Sequence, residues 1–216
     1  MPPPALHARS RDPDVLVGDR VRLEPLERGH VPGLVAAATE DRSSYAFTTV
    51  PADRASMARY VDELVRDREV GEAVPFAQVS VATGRVVGAT RFLHLRRTAT
   101  TGDIYAVEIG GTWLAASAQH SGANVEAKLL MLRLAFDTWR VGRVELLTDA
   151  RNERSRAAIA AIGATFEGVL RSAHESRVAG EEGSLRDSAI YSVTAAEWPA
   201  VQRVLEARLE RARPPA

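Results

Sequence analysis

Cysteine is absent from all 216 residues of the sequence. Disulfides, cysteine nucleophiles and thiolate metal ligands are thereby excluded, and we expect a cytoplasmic protein because a reducing compartment suits this composition. Long apolar runs are absent as well, and none approaches the roughly 18 residues of a membrane span. The first residues, MPPPALHARSRDP, lack the apolar stretch of a signal peptide. The sequence therefore predicts no membrane partner.

Excess charge of either sign is also missing, since Lys+Arg and Asp+Glu both number 28. A nucleic-acid-binding protein normally shows a basic surplus or a basic stripe, so we expect no nucleic-acid partner. Lysine is scarce, because Lys128 is the one lysine beside many arginines. Hydrophobic residues make up 45% and charged residues 26%, which is the balance of a globular chain rather than a disordered one.

Proline clusters mark both ends of the chain. We expect a flexible tail over residues 1–15 and a second tail over residues 213–216, because their composition offers little to a packed core. Between the tails the sequence shows no repeat, no low-complexity linker and no change of composition. These features predict one domain over residues 16–212.

Apolar periodicity alternates along this domain between the spacing of strands and that of helices. The clearest helix is predicted over residues 123–139, where apolar residues recur at intervals of three and four. The other helices are predicted over residues 30–40, 53–70, 152–162 and 197–210. Strands are predicted over residues 20–26, 73–82, 85–95, 104–114, 143–148, 165–171 and 186–193. This order favours an α+β fold in which helices flank a mixed, largely antiparallel sheet.

A strand, a loop with small residues and a helix follow one another over residues 108–128. The loop carries Gln119, Ser121, Gly122 and Ala123. Small residues let the free N–H groups of a helix's first turn approach an anion closely. The segment therefore predicts an anion-binding cradle, with an ordinary helix N-terminus as the alternative. The dinucleotide motif G-x-G-x-x-G and the P-loop motif are both absent.

A second segment, TDARNERSRAAIAAIGATFEGVLR, occupies residues 148–171. Together the two segments resemble the GNAT superfamily of acyl-CoA N-acyltransferases, and more specifically its RimJ/RimL-like branch, which acylates ribosomal-protein N-termini and small amines. The pattern (Q/R)-x-x-G-x-(G/A) is matched from Gln119 onwards except at its last position, where Asn124 stands. The pattern R-N-x-x-S-x-x-A-I-x-x-(I/L)-G-(A/F) is matched without a gap from Arg151 to Ala164. The resemblance covers about residues 18–195.

The resemblance implies acetyl-CoA, or another acyl-CoA, as the co-substrate. The residues that would bind it are Gln119, His120, Ser121, Gly122, Ala123 and Asn124, whose backbone amides would hold the pyrophosphate. Asn152 would contact the pantetheine arm, in a gap between the strands at 105–114 and 143–148, and Ser155 would donate to the departing thiolate. The alternatives are an Asn152 that serves as an ordinary helix N-cap and a Ser155 that faces solvent.

Acyl transfer to an amine needs a free lone pair on nitrogen, so a general base is expected. The resemblance points to Glu108, on the strand where many family members carry a carboxylate base, and to His174 in the region after Ser155. We expect Glu108 to be the base and His174 to position the substrate or relay a proton. The alternatives are a Glu108 that pairs with a nearby arginine and a solvated His174 beyond the end of its strand.

The remaining aromatic and basic residues predict structure rather than chemistry. His7, His30 and His94 show no ligand-like spacing, so no metal site is predicted. The step from His94 to Arg97 is predicted to be solvated surface at a strand end. Trp113 and Trp139 are predicted to be core aromatics.

The sequence thus predicts an N-acyltransferase, with acetyl as the expected acyl group. It would move an acyl group from acyl-CoA to a primary amine by direct attack in a ternary complex, because no cysteine or activated serine nucleophile is evident. One acceptor is a protein N-terminus, and the alternative is a small-molecule or antibiotic amine. From another class, the alternative is a catalytically silent acyl-CoA-binding protein. We expect a monomer or a homodimer.

Overall fold

The computed structural model describes residues 14–212. The tail predicted at 213–216, and all but the last two residues of the tail predicted at 1–15, lie outside the described residues. Within the described part, the strands are β1 (Leu16–Val17), β2 (Val21–Pro25), β3 (Ala73–Ser80), β4 (Val86–Arg97), β5 (Ile104–Leu114), β6 (Arg143–Asp149), β7 (Thr165–Glu175) and β8 (Leu185–Thr194). The α-helices there are α1 (Val31–Thr39), α2 (Arg54–Val70), α3 (Ala123–Arg133), α4 (Glu153–Ala160) and α5 (Trp198–Arg211). Among residues 14–212, no helix has the length and apolar character needed to cross a membrane.

Each predicted strand and helix is present, and three features differ from the prediction. The short strand β1 was not predicted. The helix predicted over residues 123–139 is α-helical only to Arg133 and continues as a π-helical turn over Leu134–Thr138. β7 runs beyond the predicted 165–171 to Glu175, so His174 lies inside a strand and not past its end.

The strands form one sheet in the order β1-β2-β3-β4-β5-β6-β8-β7. Every neighbouring pair is antiparallel except β5 and β6, which confirms the predicted mixed, largely antiparallel architecture. β5 and β6 pair only from Ala106–Arg143 to Glu108–Glu145. Beyond this point β5 continues to Leu114 beside β4, and β6 continues to Asp149 beside β8, but the two strands no longer pair with each other, so a gap opens between them.

Helices cover the two faces of the sheet unequally. On one face α3, α4 and α5 close a hydrophobic core that includes Val107 and Val144, and Trp139 packs against it as predicted. On the other face α1 and α2 pack against β4 and β3, and Trp113 is buried in this second core. Because strand residues alternate between faces, polar side chains of β6, β7 and β8 lie on the second face. They are Glu145, Asp149, His174, Arg186 and Ser188.

Two buried charged residues fix α3, the helix that follows the predicted cradle. The carboxylate of Glu126 accepts three successive backbone N–H groups, those of Asp19 to Val21, at distances of 2.7 to 3.0 Å. Lys128 donates from Nζ to Oγ1 of Thr112 on β5 at 2.7 Å. Burial lowers the pKa of Lys128 to about 7. These contacts bind α3 to the first strands and to the centre of the sheet.

Candidate active site

The predicted cradle joins β5 to α3 through Gly122. This glycine has a φ of +86°, in the left-handed region that side chains rarely adopt, and it is the N-cap residue of α3. Within the described part of the chain, the N–H groups of His120, Ser121 and Gly122 donate to no other protein atom. Unpaired N–H groups at the N-terminus of a helix suit the binding of an anion such as a phosphate.

Side chains on either side hold this loop in position. Tyr45 donates its hydroxyl to the last carbonyl of β5 at 2.9 Å, and Gln119 donates from Nε2 to Oγ of Ser44 at 3.0 Å. Arg20 donates from Nη1 to the carbonyl of Ser121 at 3.1 Å. The side chain of Gln119 therefore supports the loop, and the backbone N–H groups of the next three residues remain available to a ligand.

The first turn of α3 also fits coenzyme A. Asn124, the residue that departs from the family pattern, has a buried Oδ1 with no hydrogen-bond partner among residues 14–212. A buried oxygen of this kind needs a donor, and coenzyme A carries hydroxyl and amide groups that can supply one. The adjacent Ala123 is buried and has only a methyl side chain, so it does not obstruct the approach to the backbone.

Asn152 and Ser155 begin α4 on the other side of the gap. Oδ1 of Asn152 accepts the N–H of Ser155 at 3.1 Å, which makes Asn152 the N-cap of α4. The hydroxyl of Ser155 and the amide nitrogen of Asn152 form no hydrogen bond with other described residues. Arg154 donates to Oε1 of Gln119 at 3.4 Å. The two sequence motifs therefore face each other across the gap between β5 and β6.

Glu108 lies where the pairing of β5 and β6 ends, and it is buried. Its Oε2 lies 2.8 Å from Nδ1 of His94, so its partner is a histidine and not the arginine considered from the sequence. Its Oε1 forms no hydrogen bond within the described chain. The pKa of His94 is raised, chiefly by its hydrogen bond to Glu108.

His174 lies on the same face as this pair. Its Nδ1 lies 2.9 Å from Oγ of Ser188, a fully buried residue on β8. The pKa of His174 is lowered, first by burial and then by the positive charge of Arg186, and the charges of Glu108 and His94 act on it as well. The structure thus brings together both predicted base candidates, Glu108 and His174, with His94 beside them.

The segment from His94 to Arg97 lies at the end of β4, and His94 and Arg97 are exposed as predicted, but two of its side chains also make contacts that were not predicted. His94 contacts Glu108, and Nη2 of Arg96 lies 2.9 Å from Oε1 of Glu145 on β6. The sequence did not reveal the contact of His94 because it depends on irregular pairing. The register of β4 against β5 shifts between Leu93 and Arg96, and His94 takes a φ of +51° at that point. No residue spacing in the sequence reports such a bulge.

Arg151 joins two loops beside this face. Its guanidinium binds both oxygens of the buried Asp149 and also both oxygens of Glu181, in the loop between β7 and β8. The Cζ atom of Arg151 also lies over the ring of Phe47, 5.6 Å from its centroid, and Phe47 belongs to the segment between α1 and α2. The segment between α1 and α2 and the loop between β7 and β8 therefore meet at Arg151. No group of three or more potential metal ligands occurs among residues 14–212, and the absence of a metal from the reaction stays a prediction.

Comparisons with known proteins agree with this geometry. The GNAT acetyltransferase domain family matches residues 20–165. A GCN5-related N-acetyltransferase from Brucella melitensis is 28% identical, with a TM-score of 0.78 over 90% of this chain and 84% of that one. A protein from T. thermophilus assigned as an acetyltransferase is 34% identical, with a TM-score of 0.75 over 91% and 97%. Mycobacterium smegmatis RimJ, solved with CoA-disulfide, is 23% identical, with a TM-score of 0.72 over 90% and 91%. No curated protein sequence matches significantly.

The family match and these acetyltransferase neighbours identify the protein as an acyl-CoA-dependent N-acetyltransferase. The chain belongs to the GNAT acetyltransferase family. Its structural neighbours include RimJ, at 23% identity, and a ribosomal-protein-serine acetyltransferase from Vibrio cholerae, at 18% identity, and both share its fold.

Proposed function

We propose that the protein transfers an acetyl group from acetyl-CoA to a primary amine by direct attack in a ternary complex. The observation that carries the proposal is the gap between β5 and β6, which opens at the buried Glu108 and extends toward the unpaired N–H groups of the cradle. A thioester supplies an activated acyl carbon, and this chain would hold it between an anion site and a carboxylate.

The cradle would bind the pyrophosphate through the N–H groups of His120, Ser121 and Gly122. Asn124 would accept a hydrogen bond from the bound molecule at its unpaired Oδ1. Asn152 serves as the N-cap of α4 through its Oδ1 and would donate from its amide nitrogen to a pantetheine carbonyl. Both roles of Asn152 are therefore compatible.

Glu108 would act as the general base. Its Oε2 is held by His94, and its Oε1 remains to accept a proton from the amine nitrogen as that nitrogen bonds to the acyl carbon. His174, whose lowered pKa favours a neutral imidazole at pH 7, would position the amine or pass on the proton. Ser155 would donate its hydroxyl to the sulfur as the carbon–sulfur bond breaks.

The acceptor is a primary amine, and two sources of it are open. A protein N-terminus suits the RimJ/RimL-like motifs, and a small-molecule amine suits a site enclosed by the two loops that meet at Arg151. A silent acyl-CoA-binding protein has no need of a buried carboxylate with one unused oxygen beside the gap. A cytoplasmic location, a monomeric or homodimeric state and the absence of nucleic-acid and membrane partners stay predictions.

The test is a thiol-release assay with acetyl-CoA and a panel of peptides and small amines, run beside calorimetry with coenzyme A. The chain has no cysteine, so every thiol detected comes from the released coenzyme. Thiol release that depends on the amine, together with the acetylated amine in the mass spectrum, supports the proposal. Binding of coenzyme A without turnover of any amine supports the silent alternative. Glu108→Gln is the control for uncatalysed transfer.

A further inference from the structure

Beside the proposed acceptor site lies an arginine that has no partner in the described part of the chain. Arg186 on β8 stands directly opposite His174 of β7 in the strand register. It is half-buried, and its Nε is buried without a hydrogen-bond partner among residues 14–212. It forms no ion pair with any carboxylate of the described chain. Burial lowers the pKa of Arg186, but a guanidinium remains charged in proteins.

The acids near Arg186 are already engaged with other cations. Asp149 accepts from the backbone N–H, Nε and Nη2 of Arg151 at 2.8 to 3.0 Å. Glu108 is held by His94 at 2.8 Å. Both acids act on Arg186 through their negative charge, but neither forms an ion pair with it. Arg177 and Arg151 add positive charge nearby. Among residues 14–212, the Arg186 guanidinium therefore has no counter-ion of its own.

A partly desolvated guanidinium without an anion is unfavourable, because its lost hydration is not replaced. Its planar fork of N–H donors matches a carboxylate, to which it binds through two parallel hydrogen bonds. We propose that Arg186 binds a carboxylate, or a similar oxyanion, carried by the amine acceptor. The acceptor class is then a primary amine that also carries a carboxylate, and this inference rests on the proposed function.

The position of Arg186 suits this role. Arg186 and His174 are cross-strand neighbours on the face that also carries Glu108, so one compact molecule can present its amine to Glu108 and its anion to Arg186. The pyrophosphate of coenzyme A would occupy the separate cradle at the start of α3. An amine with a carboxylate has two sources, a free amino acid or a peptide whose first residue is acidic.

The first experiment compares matched acceptors with the full chain. Free alanine, methionine, aspartate and glutamate are each compared with their α-amides, and peptides beginning with Asp or Glu are compared with those beginning with Asn or Gln. We expect kcat/KM to favour the acceptor with the carboxylate by about tenfold or more, as for a hydrogen-bonded charge pair. The free amino acids and the peptides show which source the protein uses. Equal kcat/KM for acids and amides in every pair overturns the inference.

Variants then assign the preference to Arg186. Arg186→Met is expected to remove the preference by lowering kcat/KM for the acids about tenfold or more, with little change for the amides. Arg186→Lys keeps the charge without the fork and should retain part of the preference. Arg177→Gln removes an exposed neighbouring charge and should leave the preference intact. If Arg177→Gln abolishes the preference as fully as Arg186→Met, a general positive field and not the Arg186 fork is responsible.

A binding measurement separates this inference from the proposed function. N-acetyl amino acids and their amides are titrated into the protein saturated with coenzyme A. We expect the carboxylate forms to bind at least tenfold more tightly to the wild type, and equally to Arg186→Met. If no amine is turned over, the proposed function fails while this titration still decides the role of Arg186. If amines are acetylated but neither measurement distinguishes acids from amides, the proposed function stands and this inference fails.

Discussion

His94 and Glu108 form a hydrogen-bonded pair in which Nδ1 lies 2.8 Å from Oε2. The imidazole side chain is 62% exposed, and the carboxylate side chain is 9% exposed. The exposed ring thus holds one oxygen of a buried acid and leaves the other oxygen directed toward Gly110. The hydrogen bond to Glu108 raises the pKa of His94, so the ring stays cationic to a higher pH than the ring of a free histidine does.

The first prediction separates the two candidate bases. Glu108→Gln should lower kcat/KM by about 10²- to 10⁴-fold, the usual contribution of a placed base, and it should remove the acidic limb of the pH profile. A base must be deprotonated, so activity falls as the pH drops below its pKa. Because the pKa of His174 is lowered, a limb due to His174 would lie below its ordinary value near 6.5. Loss of the limb in His174→Ala alone reverses the assignment, and unchanged profiles in both variants mean that neither residue is the base.

The second prediction uses the space around Glu108. A Cβ atom at Gly110 would lie 2.9 Å from Oε1 of Glu108 and 3.0 Å from Cδ2 of Leu93. Gly110→Ala should displace the buried carboxylate, and a displacement of about 1 Å can cost about 10²-fold in rate. We expect kcat to fall while the Kd for coenzyme A stays within about twofold. Gly29→Ala is the matched control, because a Cβ there meets nothing within 4 Å; equal kcat values for the two variants would contradict the assignment.

The third prediction tests the cradle. Coenzyme A should raise the Tm of the wild type by mass action. Gly122→Glu should abolish this shift, because it places a carboxylate beside the three unpaired N–H groups. Gly71→Glu is the control for backbone strain: Gly71 has a φ of +79°, close to the +86° of Gly122, and open space around its Cβ position. An unchanged Tm shift in Gly122→Glu would mean that the pyrophosphate binds elsewhere.

The fourth prediction concerns Ser155. Its backbone N–H is the group that Asn152 caps, so removing the hydroxyl leaves the start of α4 intact. Ser155→Ala should lower kcat by about tenfold, as expected for the loss of a hydrogen bond to a charged leaving group. The Tm and the Kd for coenzyme A should not change. A kcat equal to that of the wild type would leave Ser155 without a part in the chemistry.

The fifth prediction concerns the buried Lys128. Its pKa is about 7 in the folded chain and 10.5 for a free side chain, so the unfolded chain binds more protons between these pH values. Stability therefore rises with pH across this interval. Lys128→Met removes the cost of burying the charge, and its free energy of unfolding at pH 7 should exceed that of the wild type by a few kcal/mol.

Thermal unfolding between pH 6 and pH 10 checks this expectation. The stability difference between Lys128→Met and the wild type should shrink as the pH rises above 7. Arg133→Met removes a partly exposed charge from the same helix and should change stability by no more than about 1 kcal/mol at any pH. A difference for Lys128→Met that is constant over this range would show that the lysine is charged throughout.

Periodicity predicted most of the fold, because buried faces impose it on the sequence. The helix α2 shows this, since its buried residues Met57, Val61 and Leu64 recur at helical spacing. The two-residue strand β1 has too few residues for any period. The π-helical turn at Leu134–Thr138 also escaped prediction, because it preserves the apolar spacing of an α-helix while widening a single turn.

The site was only partly predictable from the sequence. The cradle and the Asn152–Ser155 segment are contiguous motifs, so their residues could be named and their loops placed. The contact of His94 with Glu108 depends on a bulge between two strands. Arg186 lacks an ion pair with Asp149 because Asp149 binds Arg151 instead. The first contact depends on the register of two strands, and the second on whether Asp149 binds the nearby Arg151 or the distant Arg186; one sequence reveals neither outcome.

The hydrogen bonds between Glu126 and the turn before β2 have a consequence for folding during synthesis of the chain. The carboxylate and the N–H groups it accepts are up to 107 residues apart, and Arg20, within the same turn, also braces the loop at Ser121. A nascent chain has therefore produced about half of its length before its opening residues find their partner. The turn before β2 and the loop that precedes α3 therefore depend on each other for their final positions.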